Sequence, residues 1–142
     1  MKKIYYILGS LQAFTGIGAI PAGYGLLSDT SGAGVGMSLA LLENSPLDSF
    51  LLPGLFLLLI NGFSHLAGAY LSFSRNRYAG YAGIILGILL TLWIIIQVAW
   101  ISLSSVLQPL FLLIGLINIY LGWRIVKRGQ SKSYSKIGPE KV

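Results

Sequence analysis

The fold of this chain is decided by residues 78–123, which read YAGYAGIILGILLTLWIIIQVAWISLSSVLQPLFLLIGLINIYLGW and contain no Asp, Glu, Lys or Arg. Wound as one α-helix, this stretch would be roughly 69 Å long, more than twice the ~30 Å hydrocarbon core of a bilayer. A polar run from Ser102 to Pro109 interrupts it near the middle. We therefore interpret residues 79–101 and 106–126 as two membrane-spanning helices joined by a hairpin.

Two further uncharged stretches of similar length precede this hairpin, at residues 4–27 and 50–73. Hydrophobic residues make up 55% of the chain and charged residues only 10%, against about 25% charged in soluble domains. Because so apolar a surface would be sticky in water, we expect lipid to surround it. The sequence predicts an all-α membrane protein with four transmembrane helices in an antiparallel bundle over residues 1–128. A basic, disordered cytoplasmic tail follows at residues 129–142.

The basic residues predict the orientation of the bundle. All ten Lys and Arg residues lie at Lys2 and Lys3, at Arg75 and Arg77, or from Arg124 onward. With the N-terminus inside, all three segments face the cytoplasm, where basic residues concentrate. The N- and C-termini are then cytoplasmic, and the long loop between the first two helices is on the outer side.

A cleavable signal peptide is an alternative interpretation of residues 4–27. Lys2 and Lys3 precede an apolar run, and the segment from Ala19 to Ala22 is loosely similar to a cleavage site. The run is long for a signal peptide and no clean Ala-x-Ala site follows it. These two features favour a retained span.

Small residues recur every three or four positions along each predicted span, which places them on one helix face. Helices in lipid gain little from burying apolar side chains, so close approach at small residues supplies much of their attraction. We expect this packing role at Gly16, Gly83, Gly87, Gly115 and Gly122.

Five polar residues inside the spans form the candidate ligand-binding site. Counted at 1.5 Å per residue, Asn61, His65 and Asn118 fall about 12, 18 and 14 Å below the outer membrane boundary. Gln97 and Gln108 also fall in the outer half. Amides and one imidazole without fixed charge predict an outer-half pocket for a neutral lipid-like ligand, such as a quinone or a sterol-like lipid. The alternative is that these groups only hydrogen-bond the helices to one another.

The predicted outer loop, residues 28–49, is half apolar and too long to be structureless in a compact protein. We expect it to fold back over the mouth of the bundle, as a lid or an interfacial helix. Asp29, Ser31 and Gly32 would form its first turn, and Asp48 would lie at the start of the second helix. The spacing of the acidic residues matches no calcium-binding loop.

Several short segments resemble a bacterial family of small, uncharacterised four-helix integral membrane proteins. The resemblance covers roughly residues 23–122 and implies a four-span fold in the bacterial cytoplasmic membrane. It implies no activity, and any shared site would include the loop residues with Gln97 and Gln108. The segments that carry it are Asp29-x-Ser31-Gly32, Gly36-x-x-Leu39, Ser45-Pro46, Asp48-x-x-Leu51, Pro53-Gly54-Leu55, Trp93-x-x-x-Gln97-Val98 and Leu107-Gln108-Pro109.

Composition argues against several functions. The chain has no cysteine and one histidine, so it offers no thiolate ligands, and its intramembrane residues include no paired carboxylates or Ser/His/Asp set. We therefore predict no metal, no cofactor, no nucleic-acid partner and no enzymatic activity. The sequence favours a module that binds a neutral lipid-like ligand, a partner membrane protein or a second copy of itself. The alternatives are a small transporter or channel component and, less favoured, a lipid-modifying enzyme that uses His65.

Overall fold

A computed structural model of the protein describes residues 2–35, 39–43, 45–101 and 107–137. The regular structure within these residues is helical, and no β-strand occurs among them. By length and composition, four of the helices can cross a membrane, which confirms the predicted spans of a multi-pass membrane protein. They are α1 (Lys2–Ser28), α2 (Leu51–Phe73), α3 (Ala79–Ile101) and α4 (Leu107–Ile137).

The fourth helix is longer than its predicted span. It continues to Ile137, through residues that the sequence analysis placed in a disordered tail. The one helix-weakening residue there, Gly129, costs a helix only about 1 kcal/mol, which is too little to end it. A methyl group added at Gly129 would have no neighbouring atom of the described residues within 4 Å, so this position is not packed against another helix. Residues 138–142 lie outside the described residues.

The second helix changes its winding along its length. Its middle part, Leu57–Ser64, is a π-helix between α-helical turns at Leu51–Phe56 and His65–Phe73. In a π-helix each carbonyl accepts from the residue five positions later. Two side chains follow the same spacing, since the Ser64 hydroxyl and His65 Nδ1 lie 2.8 and 3.0 Å from the Leu59 and Ile60 carbonyl oxygens. Such segments are rare, and they often mark functional sites.

Helices α3 and α4 pack through glycines on both sides. A Cβ added at Gly122 would lie 2.5 Å from the carbonyl oxygen of Gly80, and one at Gly87 would lie 2.7 Å from that of Gly115. Gly83 is close to the backbone of Gly122 as well. The two backbones therefore approach more closely than any residue with a side chain allows.

Helices α1 and α2 are packed in the same way. A Cβ at Gly23 would lie 2.6 Å from the Leu58 amide nitrogen, and one at Gly16 would lie 2.9 Å from the Gly62 carbonyl oxygen. At the other end of the pair, Gly9 faces the Phe73 ring. Glycine contacts thus run along most of both helices.

Two apolar clusters connect α1 to the α3–α4 pair and to the loop. Leu8 packs with Leu121 and Ile125 of α4. We call this end, which also holds Phe73 and the basic residues at 2–3 and 75–77, the basic end. At the opposite end, which we call the loop end, the connection between α1 and α2 covers the bundle through a buried cluster. That cluster is formed by Leu26, Leu42 and Phe50.

The described part of the loop is anchored at both of its ends. The Phe50 amide donates to the Thr30 carbonyl oxygen at 2.8 Å, which joins the end of the loop to its beginning. Gly32 has a φ of 83°, in the left-handed region that favours glycine, and it completes the turn after α1. The predicted loop residues 36–38 and 44, and the hairpin residues 102–106, lie outside the described residues.

We expect Gly122→Ala to lower the free energy of unfolding by about 1–3 kcal/mol, the usual cost of overpacking. The added methyl would meet the Gly80 oxygen and the Ile84 nitrogen, which are backbone atoms and cannot rotate away. Denaturation of the protein in mixed micelles, followed by circular dichroism, measures the change. Gly18→Ala is the matched control, because no atom lies within 4 Å of its added methyl. Equal loss in both variants would contradict the packing described here.

Candidate functional site

Uncharged polar side chains are buried inside the bundle. In the part of the chain that the structure describes, no Asp, Glu, Lys or Arg is buried with them. Polar groups inside a membrane are costly and usually have a structural or functional role. The buried set consists of Gln12, Thr15, Asn61, His65, Ser72, Gln108 and Asn118.

One pair of these residues links two helices directly. The Ser72 hydroxyl on α2 donates to Gln12 Oε1 on α1 at 2.8 Å, and both residues are fully buried. Gly68 makes room for the Gln12 amide, since a Cβ there would lie 2.8 Å from Gln12 Nε2. Neither residue was predicted to belong to the site. Each residue lies on the face of its own helix that carries small and polar residues, which indicated a buried position. Only the register of α1 against α2 shows that the two side chains meet.

His65 presents one ring nitrogen to the interior. Its Nδ1 lies 3.0 Å from the Ile60 carbonyl oxygen, which can only accept, so Nδ1 carries the proton. In the neutral ring Nε2 is then an acceptor. Nε2 is buried and has no hydrogen-bond partner among the described residues. One turn away, Asn61 also has both side-chain polar atoms buried and unpartnered.

Further unpartnered atoms lie on the other three helices. Both polar atoms of Asn118, the Oγ1 of Thr91 and the Nε2 of Gln12 are buried without a partner in the described protein. Together with those of Asn61 and His65, seven such atoms are found among the described residues. At about 1–3 kcal/mol each, leaving them unpaired would cost about 7–20 kcal/mol, as much as a whole protein's net stability.

The structure separates the five predicted site residues. Asn118 of α4 lies at the level of Gly83 and Gly87 of α3, and the neighbouring Leu86 contacts Gly68 of α2. Gly68 is about 10 Å along α2 from Asn61 at 1.5 Å per residue. Asn61 and His65 share one face of α2. Asn118 lies near the level of Gly68, and is therefore further from the loop end than Asn61.

The two glutamines lie closer to the loop end. Gln108 is buried near the start of α4, about 15 Å along that helix from Asn118. Gln97 is half-buried on α3, about 9 Å along the helix from Thr91. The five residues thus do not surround one point. The interior polar set consists of Asn61, His65 and Asn118 with Gln12 and Thr91.

An apolar groove of about 530 Å³ lies between α2 and α3 near the loop end. The rings of Phe56 and Trp93 stack there, with centroids 4.8 Å apart and planes inclined by 17°. Leu47 of the loop also lines it. Ile60 lines the groove as well, and its carbonyl oxygen accepts a hydrogen bond from His65. A single turn of the π-helix therefore separates the groove from the polar interior. The sequence analysis did not identify this groove, because a groove depends on how two helices diverge.

The loop residues predicted to form a lid have different environments. Asp29 Oδ1 accepts from the Ser31 hydroxyl at 2.6 Å and from the Ser31 amide at 3.1 Å. The bond from the Ser31 hydroxyl contributes most, and together with the bond from the Ser31 amide it holds the pKa of the Asp29 carboxyl below its usual value. Gly32 is buried beside this turn, whereas Asp48 is exposed. No group of three or more His, Cys, Asp or Glu residues that could hold a metal occurs within the described ranges.

No protein-family model matches the chain, and no curated protein or solved structure is significantly similar to it. The resemblance to a bacterial membrane-protein family therefore stays a prediction. The four helices, by their length and composition, indicate a multi-pass α-helical membrane protein.

We expect Ser72→Ala to lower the free energy of unfolding by about 1 kcal/mol, because it leaves the buried Gln12 oxygen without a donor. Gln12→Leu combined with Ser72→Ala should cost less than the two single changes added together, since neither partner is then left unpaired. Denaturation in mixed micelles completes this double-mutant cycle.

The control for this cycle is Ser28→Ala, since the Ser28 hydroxyl is exposed and bonds only the Tyr24 carbonyl of its own helix. Its effect should stay within about 0.5 kcal/mol. Strict additivity of Gln12→Leu and Ser72→Ala would show that the two side chains do not interact.

Proposed function

We propose that this chain is a non-enzymatic module of the bacterial cytoplasmic membrane that binds a neutral lipid-like ligand. The observation that supports this function is the groove between α2 and α3, with the Phe56–Trp93 stack in its wall. Its volume of about 530 Å³ is within the range of small-molecule sites, which is roughly 300–1,000 Å³.

The lining of the groove defines the chemistry of the ligand. All the residues around it are apolar, and they include Leu52, Leu55, Leu59, Leu89 and Leu92. A charged ligand body would lose its hydration there without gaining a partner. The groove therefore suits the apolar body of a neutral amphiphile, such as an isoprenoid or a ring-bearing lipid. The stacked aromatic rings offer a flat, rigid surface for that body.

An antiparallel bundle with cytoplasmic termini is part of this proposal. Gly23 contacts Leu58 and Gly9 contacts Phe73, which supports opposite chain directions for α1 and α2. The glycine pairs of α3 and α4 likewise support opposite directions for those two helices. The basic end would then be cytoplasmic. Lys127 stacks over the Trp123 ring at 4.7 Å, a pairing suited to the headgroup layer.

A transporter or channel component is the second candidate, and the buried polar atoms of Asn61, His65 and Asn118 favour it. The absence of charged residues from the described buried set argues against ion coupling. An enzymatic role for His65 has less support, because its ring contacts a backbone carbonyl and no buried acid among the described residues.

We expect an impermeant maleimide applied to intact cells to label Asp48→Cys and to leave Gly129→Cys unlabelled. Both positions are exposed, they lie at opposite ends of the bundle, and the natural chain has no cysteine. Labelling after cell lysis is the control for reactivity. The reverse pattern would overturn the proposed orientation.

We expect the protein, extracted in mild detergent, to retain a neutral lipid in native mass spectrometry. Trp93→Leu should weaken binding of that lipid about 2- to 12-fold, because the loss of an aromatic contact costs about 0.5–1.5 kcal/mol. Trp123→Leu is the matched control, since Trp123 lies at the basic end beside Tyr120 and outside the groove. A protein without bound lipid, or equal binding by both variants, would contradict the proposal.

A further inference from the structure

We propose that the polar interior of the bundle is a second binding site, separate from the groove, which holds a file of water molecules between the helices. The site is defined by Gln12, Asn61, His65, Thr91 and Asn118, whose buried polar atoms have no partner within the described protein. Four of these side chains are at most 1% exposed, all except that of Thr91.

Packing contacts place Gln12, Asn118 and the His65 turn of α2 at neighbouring levels of the bundle. Leu11, next to Gln12, packs on the clusters that contain Leu121 and Ile114 of α4, and these two residues lie on either side of Asn118. Gln12 and Asn118 therefore face the interior at the same level. The Gln12 amide also touches Gly68 of α2, three residues from His65.

The spacing of these residues matches bridging water. Residues three or four apart on a helix have Cβ atoms about 5–6 Å apart, which is the spacing of His65 and Asn61, and the Gln12 amide lies against Gly68, three residues beyond His65. Two hydrogen bonds in series, each about 2.8–3.0 Å long, span that distance through one water molecule. Direct bonds between these side chains do not form in the structure, since their atoms are unpartnered.

The chemistry of the unpartnered atoms selects water over an ion. Three amide nitrogens, on Gln12, Asn61 and Asn118, donate; two amide oxygens and His65 Nε2 accept; and the Thr91 hydroxyl does both. A cation would leave the donors unused, and an anion would leave the acceptors unused. Water satisfies both kinds, and about one buried water per 27 residues is usual, or about five for 142 residues.

Apolar clusters lie beyond both ends of the file. Leu8, Leu121 and Ile125 lie towards the basic end, and Leu26, Leu42 and Phe50 cover the loop end. Backbone contact at the glycines holds the helices together around it. The interior thus differs from the groove, which opens on the surface and has an apolar lining.

Water-edited solid-state NMR of the isotope-labelled full chain in deuterated lipid bilayers tests this inference. We expect magnetisation from water to reach the His65 ring and the Asn61 and Asn118 amides at least several-fold faster than it reaches the buried Leu90 and Ile94 side chains. The His65 spectrum should also show a protonated Nδ1 and a hydrogen-bonded, unprotonated Nε2.

The variant Asn118→Leu should slow transfer from water to His65 at least twofold, whereas the lipid-facing change Phe63→Leu should leave it unchanged. Transfer to the wild-type amides as slow as to Leu90 would overturn the inference, even if Asn118→Leu did not fold. Direct amide-to-amide contacts, or a retained interior solute larger than water, would overturn it too. Loss of lipid from the groove would not affect these measurements.

Discussion

Close backbone contact at glycine is the interaction on which the rest of this structure depends. Lipid competes equally well for leucine and isoleucine, so apolar side chains alone hold transmembrane helices together weakly. At Gly122 against Gly80, and at Gly23 against Leu58, the helices approach until backbone atoms touch. This contact fixes the rotation of each helix, and rotation decides which polar side chains face inward. The buried amides are therefore a consequence of where the glycines lie.

The two candidate sites differ in chemistry although only one turn of α2 separates them. The groove presents apolar side chains and an aromatic stack to the surface, and the interior presents amide and imidazole atoms to neighbouring helices. Ile60 contributes to both, through its side chain in the groove and its carbonyl at His65. A protein of this size can therefore keep an apolar groove and a polar interior apart without a separate domain.

The four spans could be predicted because a gap in charge is a property of sequence alone. Helical spacing was also sufficient to place Asn61 and His65 on one face of α2. The pairing of Gln12 with Ser72 was not predictable, because it depends on the register between helices 60 residues apart in sequence. The π-helix at Leu57–Ser64 has no residue pattern that distinguishes it from α-helix, so the groove and the His65 contact were missed with it. The helical continuation to Ile137 was missed because polar composition was interpreted as disorder.

The π-helical segment decides which residues of α2 face outward. Successive residues of an α-helix point about 100° apart, and a π-helix has more residues in each turn. Rewinding this segment as an α-helix would therefore rotate one half of α2 against the other. Ile60 and Asn61 are adjacent, and one faces the groove while the other is buried inside. A rewinding by one residue would bring Asn61 to the position that Ile60 occupies and turn an amide towards the wall of the groove. The winding of Leu57–Ser64 is therefore what keeps Ile60 at the groove and the Asn61 amide in the core.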